Sequence, residues 1–589
     1  MSSRGTRSQW REQISQPEHD IVEERNVSVP MRDGVELAVN VFRPDAEGEF
    51  PALVAMAGYG KETQDLPLSP QPLGESAMWD GTIEAGDPEE FVPRGYAHVV
   101  ADVRGTGDSG GAFTGMMASH EGEDGHDLIE WIADQPWCDG SVGMTGYSYF
   151  SFTTLKTALE QPDHLEGIFV SHALSDFYRD GVYPGGVLNM FYYGLWDGRN
   201  GSSGIPANNP VSKVQRDWPQ EKIDKRRAEL LDDPDIRHQP NLYHLLQYPF
   251  KNPMFYDMLM NPYDGEFWED RSIYPRVEDI DVPAFVIGKN PHSLKGFWEL
   301  YEQLDTTKKL LVKPPGPEER PWREDVDLLI RWFDHWLKDI DTGLLDEPPI
   351  EIAMQGSHER REETEWPVPD VEWEACYLRR RGQLSFAPER YQAEPDSFLQ
   401  EPLHVSQQRG SVSYVSQPMP GKLQLMGPAS LTFYASIDQP DTTWIVSLSD
   451  VRPDGSEVRL EKTYLNASHR AVDPDRSEPG RPYHPHTEES VDPVEPGEIT
   501  EYQVGLGPFA SVLSEGHRLK LSIESMESPL DDEMHVHYHP HLCSSRTTLH
   551  KIYRNDEYRS HLRLPTVNVD DEVLDVLSND SYLGGDPTH

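Results

Sequence analysis

Between residues 26 and 175, short β-rich runs (VELAVNVFRP, PALVAMAGYG, YAHVVADVRG, VGMTGYS, GIFVSHAL) alternate with helix-like stretches. Parallel strands need a long crossover between them, usually a helix, so this alternation predicts β-α units wound into a largely parallel sheet. The clearest helix is GEDGHDLIEWIADQP, where Leu128, Ile129 and Ile132 share one face and Pro136 stands just beyond the end. That face is expected to pack on the sheet.

The texture changes on either side. Residues 1–20 are polar and aperiodic and read as a flexible tail, with the first part of the core over 21–184. Residues 185–275 are rich in aromatics, Asn, Pro and charge, the pattern of a helical cap inserted between two strands. VPAFVIG and LLVKPP return as sheet strands, and DVDLLIRWFDHWLKDI closes the core over 276–345 as an amphipathic helix. From 346 to 566 short strands follow one another with Pro and Gly turns, as in a β-sandwich or jelly roll, and 567–589 read as an acidic tail. The fold class expected is α/β with a C-terminal β domain.

Charge narrows the partners. Against 52 Lys and Arg the chain carries 102 Asp and Glu, a net charge of −50, which repels nucleic-acid phosphate and anionic lipid alike. No run of about 18 apolar residues occurs, and MSSRGTRSQWREQ lacks the apolar core of a secretion signal, so the reading is a cytoplasmic protein without a membrane partner. Cys138, Cys376 and Cys543 lie far apart without CxxC spacing, which argues against both a disulfide framework and a cysteine zinc site.

Three motifs bear on chemistry. In SVGMTGYSYFS, Ser148 follows an apolar run and precedes a helix-like segment; such a turn presents a hydroxyl at the sheet edge, with the next N–H, that of Tyr149, facing a developing oxyanion. Phe150 stands where the G-x-S-x-G pattern has its last glycine. DVRGTGDSGG is no phosphate loop, and its expected role is a turn held by an Asp102–Arg104 salt bridge. In HVHYHPH, His535, His537, His539 and His541 alternate; Pro540 breaks the strand, so a surface or interface stripe is preferred over a metal site. No metal or cofactor is expected.

Taken together, DVRGTGDSGG, DGHDLIEWIADQPW, CDGSVGMTGYSYFS, SDFYRDGVYPGG and, further on, GRPYHPHTEESVDPVEPGEITEYQVGL and GHRLKLSIES resemble the cocaine-esterase and X-prolyl dipeptidyl-peptidase family of serine hydrolases over roughly residues 25–565. The resemblance implies an α/β-hydrolase core, a helical cap, a jelly roll walling one side of the pocket, and hydrolysis through an acyl-serine. It assigns Ser148 as nucleophile and places Tyr59, in AGYGKE, as an oxyanion donor beside the Tyr149 N–H.

The chain departs from that family at two points. The segment expected to bear the acid reads VIGKNPHSLKG, without Asp, and the segment expected to bear the histidine reads LLVKPPGPEERPW, without His. His292 stands where the acid would be, and Glu318 or Glu319 where the histidine would be, so a rearranged triad Ser148–His292–Glu318 is chemically admissible. Asp176 and Asp180, after the strand GIFVSHAL, are rival acids, and His172 is a rival base. The expected function is hydrolysis of an ester, lactone or amide of a small organic substrate. The alternatives are a catalytically silent binding protein that keeps the pocket, and an acyl transferase or condensing enzyme using Ser148. A homodimer is expected from the resemblance and the prevalence of two-fold oligomers.

Overall fold

A computed structural model describes residues 10–64, 84–195, 205–290, 295–314, 325–390, 392–402, 405–406, 408–527, 544–569 and 571–578. The core sheet is built from β1 (Ile21–Pro30), β2 (Glu36–Pro44), β3 (Phe50–Ala57), β4 (Ala97–Asp102), β5 (Cys138–Tyr147), β6 (Leu165–Ser171), β7 (Ala284–Lys289), β8 (Lys308–Lys313), β9 (Ile350–Ala353) and β10 (Arg360–Glu363). Their order across the sheet is β1-β2-β4-β3-β5-β6-β7-β8-β9-β10. From β4 to β9 every neighbouring pair is parallel, and antiparallel pairs close both ends. Strands β4 and β7 are buried along their whole length, as expected of a parallel strand covered on both faces. This is the α/β-hydrolase architecture.

Helices α1 (Ser119–Ala133), α2 (Tyr149–Leu159), α3 (Phe297–Gln303) and α4 (Val326–Lys338) cover the sheet. Leu128, Ile129 and Ile132 of α1 are fully buried, as their spacing predicted. Helix α1 can approach α2 closely because Gly122 and Gly125 face it: a Cβ at Gly122 would stand 2.6 Å from the Lys156 carbonyl oxygen, and one at Gly125 would overlap the Thr157 hydroxyl. Between β6 and β7 the chain forms short helices, among them Gln220–Asp232, Pro240–Gln247 and Pro253–Met260, the last two opening on a proline that suits the first helical turn.

The C-terminal region is a separate, sheet-rich body with its own core, in which Trp444 packs edge-on against Phe433 at a ring-centroid separation of 5.1 Å. It is tied to the core at several points. Asn290 Nδ2 donates to the Ala510 carbonyl oxygen (2.7 Å), Asn466 Nδ2 to that of Gly186 (2.8 Å), and Arg179 Nη2 to those of His484 and Pro485 (3.0 and 3.1 Å).

Two described stretches that were expected to be parts of loose tails, residues 10–20 and 571–578, are docked on the fold. Ile14 is buried, and Ser15 donates to the buried Asp334 carboxylate of α4 from its N–H (2.6 Å) and its hydroxyl (2.8 Å), where Tyr96 also bonds (2.6 Å). At the other end the helix Asp571–Ser578 buries Val573 and Leu577, and the Ser385 hydroxyl caps the Leu577 carbonyl (3.0 Å). A few apolar side chains in a polar stretch were enough to dock each segment. Among the described residues no helix is long and apolar enough to cross a membrane. Cys138 and Cys376 are free and buried, and burial pushes their thiols up to about 11 and about 12, far from the reactive thiolate range.

Candidate active site

Ser148 sits between the end of β5 and the first turn of α2 with φ 55° and ψ −118°, a region that non-glycine residues occupy only when their surroundings hold them there. Three contacts do so. The Ser148 N–H donates to the Ser171 carbonyl at the end of β6 (3.0 Å), the Tyr147 N–H donates to Glu84 (3.1 Å), and the Ser148 carbonyl accepts from Phe152 inside α2 (3.1 Å). Behind them the Ser151 hydroxyl lies 2.5 Å from the Gly146 carbonyl oxygen and 2.7 Å from that of Ser171, and accepts from the Ser171 N–H (2.9 Å). One buried side chain therefore locks two strand ends and the helix start together. The side chain of Ser148 is left half-buried at the sheet's C-terminal edge.

The geometry also explains how Phe150 can replace the usual glycine. Gly146 leaves open the space that the Phe150 Cβ fills; any side chain at 146 would collide with the Phe150 backbone. The close approach that two glycines normally share is carried here by one.

Tyr149 is the first residue of α2, where backbone N–H groups have no acceptor within the helix. Its ring is wholly buried and its phenol donates to Glu121 Oε1 at 2.7 Å. Tyr59 follows β3, half-buried, with its ring edge-on to that of Tyr149 at 5.5 Å and 87°. Gly58 permits this, because a Cβ there would stand 3.0 Å from the Tyr149 ring. The Tyr59 turn is anchored two residues later, where the Lys61 N–H donates to Asp102 Oδ1 (2.6 Å).

That last contact corrects the expected Asp102–Arg104 salt bridge. Asp102 accepts instead from the N–H groups of Lys61 and Asp108 (2.6 and 3.1 Å) and faces the buried Lys61 ammonium at 3.5 Å. Arg104 turns the other way, pairing with Asp124 of α1 and with Asp33 (2.8 Å). The strand β4 ends at Asp102 and a turn begins at Arg104, so the alternation that sets residues i and i+2 on one face of a strand does not carry across this pair.

The proposed triad partners are placed unequally. His292, Glu318 and Glu319 lie outside the described residues, as do His535, His537, His539, His541 and Cys543. Of the described residues on either side, Asn290 bonds the C-terminal body, and Gly296 packs against Leu174 and Ser175, just past the end of β6. Asp176 has both oxygens engaged. Its Oδ1 accepts from the N–H groups of Tyr178 and Arg179 (3.0 Å each), capping a turn, and its Oδ2 pairs with Arg179 (2.8 Å), which also pairs with Asp264 (2.7 Å). Asp180 is half-buried and accepts from the Asp176 N–H (3.0 Å); desolvation of its carboxyl and the nearby Glu299 raise it well above the usual range. His172 has φ 58°, its Nδ1 lies 2.8 Å from the Ser171 hydroxyl, and its ring lies tilted against that of Tyr147 at a centroid separation of 4.3 Å. Among the described residues no group of His, Cys, Asp or Glu is arranged to hold a metal ion.

Glu121 was not singled out from the sequence, although it stands seven residues before Leu128 on the same buried stripe of α1, an unusual place for a carboxyl. Ser151, inside the apolar start of α2, gave no comparable signal.

Residues 33–316 match the model for X-Pro dipeptidyl-peptidase (S15 family), and residues 342–563 match that for the X-Pro dipeptidyl-peptidase C-terminal non-catalytic domain. The cocaine esterase of Rhodococcus sp. is 26% identical over 92% of this chain and 98% of its own length. A CocE/NonD family hydrolase from Staphylococcus aureus superposes with a TM-score of 0.75 at 22% identity, covering 93% of this chain and 94% of that one. An aminopeptidase from a marine sediment archaeon, Thaumarchaeota archaeon, gives 0.70 at 16% identity over 94% and 97%. With residues 33–316 and 342–563 matched by the two family models, the chain belongs to the cocaine-esterase and X-Pro dipeptidyl-peptidase (S15) family of serine hydrolases.

Proposed function

We propose that this protein hydrolyses a carboxylic ester of a small organic molecule through an acyl-Ser148 intermediate. The observation that carries this reading is the strained Ser148 backbone at the strand-to-helix turn, where Tyr149 and Tyr59, the bearers of the two candidate oxyanion donors, pack ring against ring. Strain held by several hydrogen bonds is retained where it positions a reacting group. Ester is favoured over peptide because the esterase relative matches nearly the whole chain.

In the proposed cycle the Ser148 hydroxyl attacks the ester carbonyl as its proton passes to a base. The carbonyl oxygen, now negative, is met by the two donors; the base then delivers the proton to the departing alcohol, and water repeats the sequence on the acyl-serine. His292 is the proposed base and Glu318 the carboxylate that orients it. Asp176 is the weaker candidate for that second role, since its oxygens are already committed to Arg179 and two backbone N–H groups.

The absence of Asp from VIGKNPHSLKG and of His from LLVKPPGPEERPW favours one second reading, a binding protein that has lost its proton shuttle. Turnover of p-nitrophenyl butyrate and of Gly-Pro-p-nitroanilide, measured for the wild type, Ser148→Ala and His292→Ala, separates them. Ester turnover lost on the order of 10³-fold or more in both variants supports the proposal. Wild-type rates equal to those of Ser148→Ala would establish the binder.

A further inference from the structure

We infer that Glu121 is a positioning residue for the oxyanion hole, acting through Tyr149 on both of its donors. The inference rests on Ser148 being the nucleophile, and it assigns a role to a buried carboxyl that neither the family motifs nor the triad uses.

Helix α1 crosses α2 at near contact through Gly122 and Gly125, and that approach sets the Glu121 side chain against the first residue of α2. Glu121 Oε1 takes the Tyr149 phenol (2.7 Å) and Oε2 takes the N–H of Met117 (3.0 Å), itself held at φ 59°. Tyr149 is thereby fixed at the tip of its side chain as well as at its backbone. The backbone end carries the N–H that follows Ser148, and the ring is the surface on which Tyr59 rests edge-on. Releasing the phenol frees the ring to turn, and both donors lose the support that aims them. An oxyanion hole works by being preorganised, so this loss falls on the transition state more than on substrate binding.

The charges around Glu121 come from every packed element. Lys156 of α2 and Arg271 from the cap side favour its ionised form; Arg271 is in turn faced by Asp270 and Asp257, and His120 faces Arg104 and Arg271. Burial outweighs these, and the Glu121 carboxyl is pushed up to about 8. At neutral pH the uncharged acid is the main form. Ionisation on the alkaline side places a negative charge behind a site that must receive one.

The experiment compares wild type, Glu121→Gln and Glu121→Leu by thermal unfolding, by kcat and KM for p-nitrophenyl butyrate from pH 6 to 9.5, and by the rate of fluorophosphonate labelling. Gln can keep both contacts, its oxygen accepting from Met117 and its amide donating to the Tyr149 oxygen. Its kcat is expected within about threefold of wild type at pH 7, without the wild-type decline centred near pH 8. Leu is expected to lower kcat and the labelling rate by at least about tenfold, with KM within twofold. A folded Leu variant with wild-type kcat overturns the inference, and so does a Gln variant that keeps the wild-type alkaline limb, which decides the matter if Leu fails to fold. A wild type that neither labels at Ser148 nor turns over ester removes the nucleophile assignment itself, and the inference with it.

Discussion

Gly146 and Phe150 share one volume: the space a Cβ at 146 would need is filled by the Phe150 Cβ and carbonyl carbon, with the Phe150 oxygen 2.7 Å away. Backbone cannot yield there without moving Ser148. Gly146→Ala is therefore expected to destabilise the fold by about 1–3 kcal/mol and to lower kcat/KM on the order of 10²-fold by displacing the nucleophile. Urea unfolding and ester turnover check both; a variant as stable and active as wild type would contradict the packing described.

Lys61 has a wholly buried side chain held by Asp102, Asp108 and Glu62. Replacing it with Met leaves Asp102 buried with no facing cation, at a cost of roughly 3–5 kcal/mol. Adding Asp102→Asn is expected to recover part of that loss in a double-mutant cycle. Strictly additive losses would show that the two side chains do not act as a unit.

Asp176→Asn tests which role the carboxylate plays. Its contacts predict a stability loss of about 1–3 kcal/mol, from a half-buried Arg179 left with Asp264 as its one carboxylate partner, and turnover within tenfold of wild type. A drop in kcat on the order of 10⁴ with unchanged stability would instead make Asp176 the orienting acid.

Much of this site could be read from residue order. The strand-serine-helix turn needs only an apolar run, a glycine two residues before the serine and a helix-forming sequel, and all three are local. The helix carrying Leu128, Ile129 and Ile132 was recognised by its stripe, but its first turn was read as beginning later, at the run GEDG; Glu121 was missed because a carboxyl does not register as a core residue until its partner is known. Asp102 and Arg104 were paired because they are close in sequence, whereas their partners, Lys61, Asp124 and Asp33, arrive from other loops. The docked segments 10–20 and 571–578 escaped notice for the same reason. Asp334 is an ordinary helix acid until Ser15 and Tyr96 converge on it.

His98 supplies a pH-dependent test. It is fully buried, its Nε2 lies 3.1 Å from the Ala85 carbonyl oxygen, and burial lowers its imidazole from 6.5 to about 4. Between those values the unfolded chain binds a proton that the folded chain refuses, so stability present above pH 6.5 falls as the pH drops toward 4, by up to ~3 kcal/mol from this group. His98→Phe is expected to flatten that part of the curve relative to wild type. Urea midpoints at pH 5 and pH 8 measure it; parallel curves would contradict the assignment.

The central claim is that Ser148 is the nucleophile, and intact-protein mass spectrometry after exposure to a fluorophosphonate tests it most directly. The account predicts a single adduct, mapped by peptide fragmentation to Ser148 and absent from Ser148→Ala. An unmodified wild type, or an adduct that survives in Ser148→Ala, would contradict it.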